Sequence, residues 1–225
     1  MLKVGLCGEG GRGVPDIEGL QVFEIRASGL NLPSNKVCKE WKQSAPEELC
    51  FMIRIPEGVF CPSGSHEPSS FLASPKDVSK SWKKVVELAD EMDVDTLSFA
   101  LPPWVTPTEH NRKKLLWFLN DMAGGAFRIV WEPAGLWTEE DVYPVAKDSN
   151  IIVGMNEIPE WGDIGEDDWL FLRYRGLGRS QLSGDTLYDL AEFCAGPWLG
   201  VCLLDVPRPN KDFEALMKAL ENCSF

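Results

Sequence analysis

Eight short apolar runs punctuate the chain, and most neighbouring runs are separated by a stretch that carries helix start signals. The runs are "LKVGLC" (2–7), "QVFEIRA" (21–27), "LCFMIRI" (49–55), "DTLSFAL" (95–101), "FRIVWEP" (127–133), "NIIVGMN" (150–156), "DWLFLRYR" (168–175) and "WLGVCLLD" (198–205). Several are nearly continuous in Val, Ile, Leu and Phe, the composition of parallel strands covered on both faces. Ser74-Pro75 with Asp77, and Thr106-Pro107 with Glu109, each combine a capping residue, a proline at the first helical position and an acid in the first turn. Thr138 with Asp141 opens a third helix, Ser183 and Asn210 cap two more, and "SNKVCKEWKQSA" (34–45) is a shorter candidate.

Strands alternating with helices in this way predict an α/β fold, an irregular TIM (β/α) barrel formed by one domain over residues 1–225. An open doubly wound sheet is the alternative. Two links depart from the repeat. "GEGGRGVPDIEGL", after the first strand, holds too much Gly and Pro for a full helix, and "EIPEWGDIGEDDW", after the sixth, is acidic and loop-like. The first and sixth helices are therefore expected to be missing or reduced.

Charge narrows the functional classes. Lys and Arg total 22 against 35 Asp and Glu, a formal charge of −13 over 225 residues. A nucleic-acid or anionic-membrane binder needs a basic footprint, so neither partner is expected, although a small basic pocket is compatible with that balance. No apolar run approaches the ~20 residues that span a bilayer. The opening "MLKVGLCGEG" lacks the apolar core of a signal peptide, and the seven cysteines form no CxxC pair. A reducing cytoplasm and no disulfide framework are the corresponding expectations.

In a β/α barrel, functional side chains gather where the strands end and the βα loops converge. That rule selects Glu24 and Arg26 on the second strand, Arg54 on the third, Glu132 on the fifth, Asn156 on the sixth, Arg173 and Arg175 on the seventh, and Asp205 on the eighth. Glu132 ends an apolar strand just before Pro133, where an unpaired carboxylate would be costly. It is either a general acid/base, or an acceptor for a substrate hydroxyl, or an ion-pair partner of Arg54 or Arg173 that ties strands together. Glu24 and Glu132 form a candidate catalytic pair, of the kind that hydrolyses glycosides, with Trp137 among the aromatics placed to stack on a sugar. Arg54, Arg173 and Arg175 can hold a phosphate or carboxylate in bidentate fashion. Alternation along a strand puts Glu24 with Arg26, and Arg173 with Arg175, on shared faces, without saying which face points inward.

Other patterns carry less. "GEGGRG" matches GxGxxG, but Pro15 follows where a helix should start, so a loop near the barrel mouth, able to offer backbone amides to an anion, replaces the dinucleotide reading. With two histidines and no HxH or HExxH cluster, no metal site is expected, and GxSxG is absent. The sequence names no cofactor and no oligomeric state. "EMDVD" (91–95) reads as solvated surface, and the acidic link after the sixth strand as surface or as a lid over the mouth.

Longer segments resemble a known family. "VFEIRASGLNLPSNKVCKEWKQSAPEELCFMIRIP" resembles the second and third strands of the domain of unknown function 72 (YecE-like) TIM-barrel family, "LSFALPPWVTPTEHNRKKLLWFL" its fourth strand and helix, "RIVWEPAGLW" its Trp-Glu-Pro-Arg-Gly-x-Trp segment, and "LFLRYRGLG" its Arg-Leu-His-Gly segment. The similarity runs over nearly the whole chain and implies an irregular TIM barrel without naming a reaction. Departures stand at Ala134 in place of the family's Arg, at Arg175 in place of its His, at Arg54 in place of its Lys, and in the ending "LLDVPRPN". Two functions follow. One is a small-molecule site at the C-terminal mouth, hydrolase- or lyase-like, acting on a sugar-like or anionic substrate. The other is a non-catalytic binding or interaction module that has lost family site residues.

Overall fold

The computed structural model describes residues 2–8, 13–27, 32–62, 64–159, 169–176 and 181–223. Strands β1 (Leu2–Cys7), β2 (Val22–Ile25), β3 (Cys50–Arg54), β4 (Thr96–Phe99), β5 (Arg128–Trp131), β6 (Ile152–Val153), β7 (Trp169–Tyr174) and β8 (Leu199–Leu204) all lie within the predicted runs. Every pairing is parallel, in the order β6-β5-β4-β3-β2-β1-β8-β7. The two ends of that sheet meet through one residue. Met155 N donates to Phe171 O at 2.9 Å and Arg173 N donates to Met155 O at 2.8 Å, so the ring closes between β6 and β7.

Helices α1 (Asn35–Ser44), α2 (Glu57–Phe60), α3 (Pro75–Met92), α4 (Glu109–Trp117), α5 (Glu139–Ser149), α6 (Gly184–Ala195) and α7 (Pro209–Cys223) surround the barrel. Residues 13–21 and 154–159, in the two irregular links, contain no helix. The rest of the acidic link, 160–168, lies outside the described residues, as do positions 9–12 of the glycine loop. Caps account for most helix starts. Ser34, Ser74 and Ser183 each accept from a backbone N–H three residues on, and Thr138 and Asp141 form a reciprocal capping box.

Two starts differ from expectation. The cap of α4 is Thr108, whose Oγ1 accepts from Asn111 N at 3.2 Å, while the Thr106 carbonyl is taken by the Asn111 side chain at 2.9 Å. That second bond holds Thr106 and Pro107 outside the helix. In α7, Asp212 N donates to Arg208 O at 3.0 Å, so Pro209 takes the first helical position and Asn210 lies inside rather than capping. The long helix α3 shows why such segments dock. Its buried positions Val78, Trp82, Val85, Ala89 and Met92 recur every three to four residues and form one apolar stripe.

The hydrophobic residues separate into two layers. Outward-facing strand residues such as Phe23, Ile53, Phe99, Trp131, Leu172 and Leu204 pack against the helices. Inward-facing Val22, Met52, Val130, Phe171, Val201 and Leu203 fill the lower barrel in a cluster of their own. Among the described residues no helix is long and apolar enough to cross a membrane.

Candidate functional site

Two residues further along the inward face, the apolar fill stops and charge begins. Val22 gives way to Glu24 and then Arg26, Met52 to Arg54, Val130 to Glu132, Phe171 to Arg173 and then Arg175, and Leu203 to Asp205. The period of two along a strand carries each of these side chains to the same interior, at its C-terminal end. Gly154, just after β6, completes the arrangement. A Cβ there would stand 3.1 Å from Glu132 Cγ and 3.0 Å from the Phe171 ring, so the missing side chain leaves the room that Glu132 occupies.

Arg173 is the centre of the cluster and is fully buried. Its Nε and Nη2 donate to Glu132 at 2.5 and 2.8 Å, its Nη1 and Nη2 to Glu24 at 2.9 and 2.6 Å, and its Nη1 also to Cys7 Sγ at 2.9 Å. All five guanidinium N–H groups are thereby used. The carboxylates are equally committed. Glu24 Oε1 accepts from Ser98 Oγ and Arg173 Nη2, both at 2.6 Å, and its Oε2 from Arg26 Nε at 2.8 Å and Arg173 Nη1. Glu132 Oε1 accepts from Arg54 Nη1 at 2.6 Å and Arg173 Nη2, and its Oε2 from Arg173 Nε and Arg175 Nη2 at 3.2 Å.

Above this buried core sits a partly exposed rim. Arg26 makes a two-point contact with Asp205, Nη1 to Oδ1 at 3.1 Å and Nη2 to Oδ2 at 2.8 Å. Arg175, with 46% of its side chain exposed, donates to Asn156 Oδ1 at 2.5 Å and stands 3.7 Å from Asp205. Arg54 is 23% exposed and reaches down to Glu132. The cluster thus sets four guanidinium groups against three carboxylates.

Ionisation follows from the contacts. Burial by itself would raise the Glu24 pKa, but the charge and hydrogen bonds of Arg173, with the charges of Arg26 and Arg54, outweigh it and hold the carboxyl well below the ordinary range. Asp205 is shifted the same way. Burial opposes ionisation, and the hydrogen bond and charge of Arg26, then the charges of Arg173 and Arg175, overcome it. Against the rim lies a cavity of about 300 Å³, lined by Arg26, Arg54 and Asp205 with Ala27, Ile55, Pro56 and Glu57.

Of the residues selected from sequence, Glu24, Glu132, Arg54, Arg173, Arg175, Asn156 and Asp205 are brought together in this one network. Both two-residue pairs whose orientation was open, Glu24 with Arg26 and Arg173 with Arg175, point inward. Trp137 is not part of the network. Its ring stands edge-on to Trp131 at 5.0 Å and its Nε1 donates to Val105 O at 2.7 Å, in the layer between barrel and helices. Two members were not selected, Ser98 and Cys7. Their signal was available in the alternation of β4, where Thr96 and Ser98 share a polar face, and in the inward register of β1. Among the described residues no three His, Cys, Asp or Glu side chains gather as metal ligands.

No family model matches the sequence, and neither does any curated protein. Solved structures do. A domain of unknown function 72 protein from Thermotoga maritima superposes with a TM-score of 0.66 at 16% identity, covering 98% of this chain and 97% of its own. A second protein of that family, from Enterococcus faecalis, gives 0.66 at 13% identity, covering 100% of this chain and 95% of its own. A family 2 AP endonuclease from Brucella melitensis gives 0.60 at 12% identity, covering 95% and 96%. The fold is that of the domain of unknown function 72 proteins, an α/β barrel of the TIM type.

Proposed function

We propose that the mouth of the barrel binds a small polyhydroxylated anion, a sugar acid or sugar phosphate, and that Glu24 and Glu132 serve chiefly to hold the arginines that recognise it. The observation that carries this reading is the filling of both carboxylates. Each oxygen of Glu24 and of Glu132 accepts two hydrogen bonds, which uses the acceptor capacity of a carboxylate. A general acid or base must exchange a proton with substrate, and here each proton would have to displace an arginine donor. The Arg173 guanidinium also occupies the gap between the two carboxylates, the place a glycosidic oxygen would need.

The rim supplies the complementary chemistry. Arg26 and Arg54 face the cavity as donors for an anionic group, while Asp205 and Glu57 face it as acceptors for hydroxyls. One excess positive charge within the cluster, in a chain of −13, favours a small anion over a nucleic acid.

Thermal unfolding with gluconate, a sugar phosphate, inorganic phosphate and a neutral sugar tests the proposal. A ligand that binds only the folded state raises the midpoint by mass action. The anionic sugars are expected to raise the midpoint of wild type and to lose that effect in Arg54→Gln. A panel that shifts nothing would sink the binding reading. Turnover of a panel compound, abolished in a folded Glu132→Gln variant, would replace it with catalysis.

A further inference from the structure

We propose that Lys3 and Cys50 form a peroxide-sensitive covalent link across the N-terminal end of the barrel, remote from the charged mouth. Lys3 Nζ donates to Cys50 Sγ at 2.8 Å, between strands β1 and β3, with β2 and its inward Val22 lying between them. Lys3 is exposed to solvent and Cys50 is partly buried at the edge of the lower apolar layer. Cys50 also lines a groove of about 520 Å³ on that end of the molecule, beside Pro46, Glu47, Leu49 and Asp95.

The other thiols are placed differently. Cys38, Cys61, Cys194, Cys202 and Cys223 are buried, and burial pushes Cys38 and Cys61 up to about 11. Cys7, half-buried, lies against Arg173 inside the mouth, and burial, then the Glu24 charge, raise its pKa far more than Arg173 lowers it. Cys50, the other partly buried thiol, has the Lys3 amine in hydrogen-bond contact. An amine held against a thiol is placed to attack that sulfur once a peroxide has oxidised it to the sulfenic acid.

The chemistry needs only a hydroperoxide as oxidant. The Cys50 sulfur attacks one peroxide oxygen, an S–O bond forms as the O–O bond breaks, and the departing hydroxide leaves as water, giving the sulfenic acid. The Lys3 amine then attacks that sulfur. An S–N bond forms, the S–OH bond breaks, and the second hydroxide takes the amine proton and leaves as water. Sulfur loses two electrons and the peroxide gains them. Two equivalents of an external thiol reverse the step, releasing amine and thiol with one disulfide. The sulfenamide ties residue 3 to residue 50, closing a 47-residue separation and restricting the unfolded chain.

Mass spectrometry after brief hydrogen peroxide treatment tests the link in wild type, Cys50→Ser and Lys3→Arg. Wild type is expected to yield the Lys3 and Cys50 peptides joined, lighter by two hydrogens than their sum, restored by dithiothreitol and accompanied by a raised unfolding midpoint. Neither variant is expected to show the joined peptide or the raised midpoint, and Lys3→Arg still takes oxygen at Cys50. Sulfinic acid at Cys50 of wild type with no joined peptide would overturn the proposal, and so would an unmodified Cys50.

Discussion

The lower and upper halves of the barrel interior are built by the same strands from residues two positions apart, yet they obey different energetics. Below, Val22, Met52, Val130, Phe171, Val201 and Leu203 gain free energy by leaving water, and any side chain of matching volume serves. Above, Glu24, Glu132 and Arg173 are just as deeply buried and carry charge, so each depends on its partners for its place. An apolar filling would have cost nothing in desolvation. Buried ion clusters are weak devices for stability, and replacing one with packed apolar groups is often neutral or stabilising. A three-charge core at the C-terminal end of the barrel is therefore better explained by what it positions, the arginine rim.

Breaking the upper half at its centre gives the largest effect. Arg173→Met leaves Glu24 and Glu132 facing each other without the four hydrogen bonds that Arg173 gives them, and removing one partner of a buried ion cluster costs about 3–5 kcal/mol. Urea unfolding should show that loss, and a variant within about 1 kcal/mol of wild type would mean that water replaces the guanidinium. Breaking the lower half is milder. Met52→Ala, in the apolar layer, should cost about 2–3 kcal/mol by transfer and cavity terms, with no change in anion binding. If phosphate or gluconate affinity moved with it, the two halves would be mechanically coupled rather than stacked.

The comparison sharpens in acid, because the carboxylates Glu24, Glu132 and Asp205 all belong to the upper half. Glu24 and Asp205 have folded pKa values below their unfolded ones, so their contribution is present above the ordinary carboxylate range and disappears as pH falls through the folded values. Stability should be level from neutral pH to about 5 and fall below about 4, where an unfolded carboxylate takes up its proton. Glu24→Gln, less stable at neutral pH, should show a shallower fall in acid. Equal acid slopes in both proteins would place the titrating groups elsewhere.

Much of this division was legible in the residues. Apolar runs interrupted by capped segments were enough for eight strands and the barrel, and strand-end charges were enough to collect seven of the network's members. Alternation could say that Arg173 and Arg175 share a face. It could not say that the face is the interior, because both faces of a barrel strand are buried and inwardness is set by how the whole sheet curls. Ser98 was missed because a serine inside an apolar run carries no charge to draw notice. Trp137 was drawn into the site by its position in a βα loop. Its indole instead found an acceptor at Val105 and a ring at Trp131, the usual fate of a large amphipathic side chain beneath a loop.

The smallest effect on stability falls on the most exposed arginine of the rim. Arg175 is 46% exposed and contacts Asn156, Glu132 and Asp205 from the solvent side, so Arg175→Gln should change stability by less than about 1 kcal/mol. Glu132 keeps three of its four donors. Binding should respond more strongly, because a charge-assisted hydrogen bond to an anion is worth about tenfold in affinity. Titration calorimetry with gluconate in wild type and Arg175→Gln, at low and moderate salt, separates the two roles. A weaker affinity at unchanged unfolding midpoint assigns Arg175 to recognition, and unchanged affinity leaves it as a lid on Glu132, with Arg26 and Arg54 as the anion's only donors.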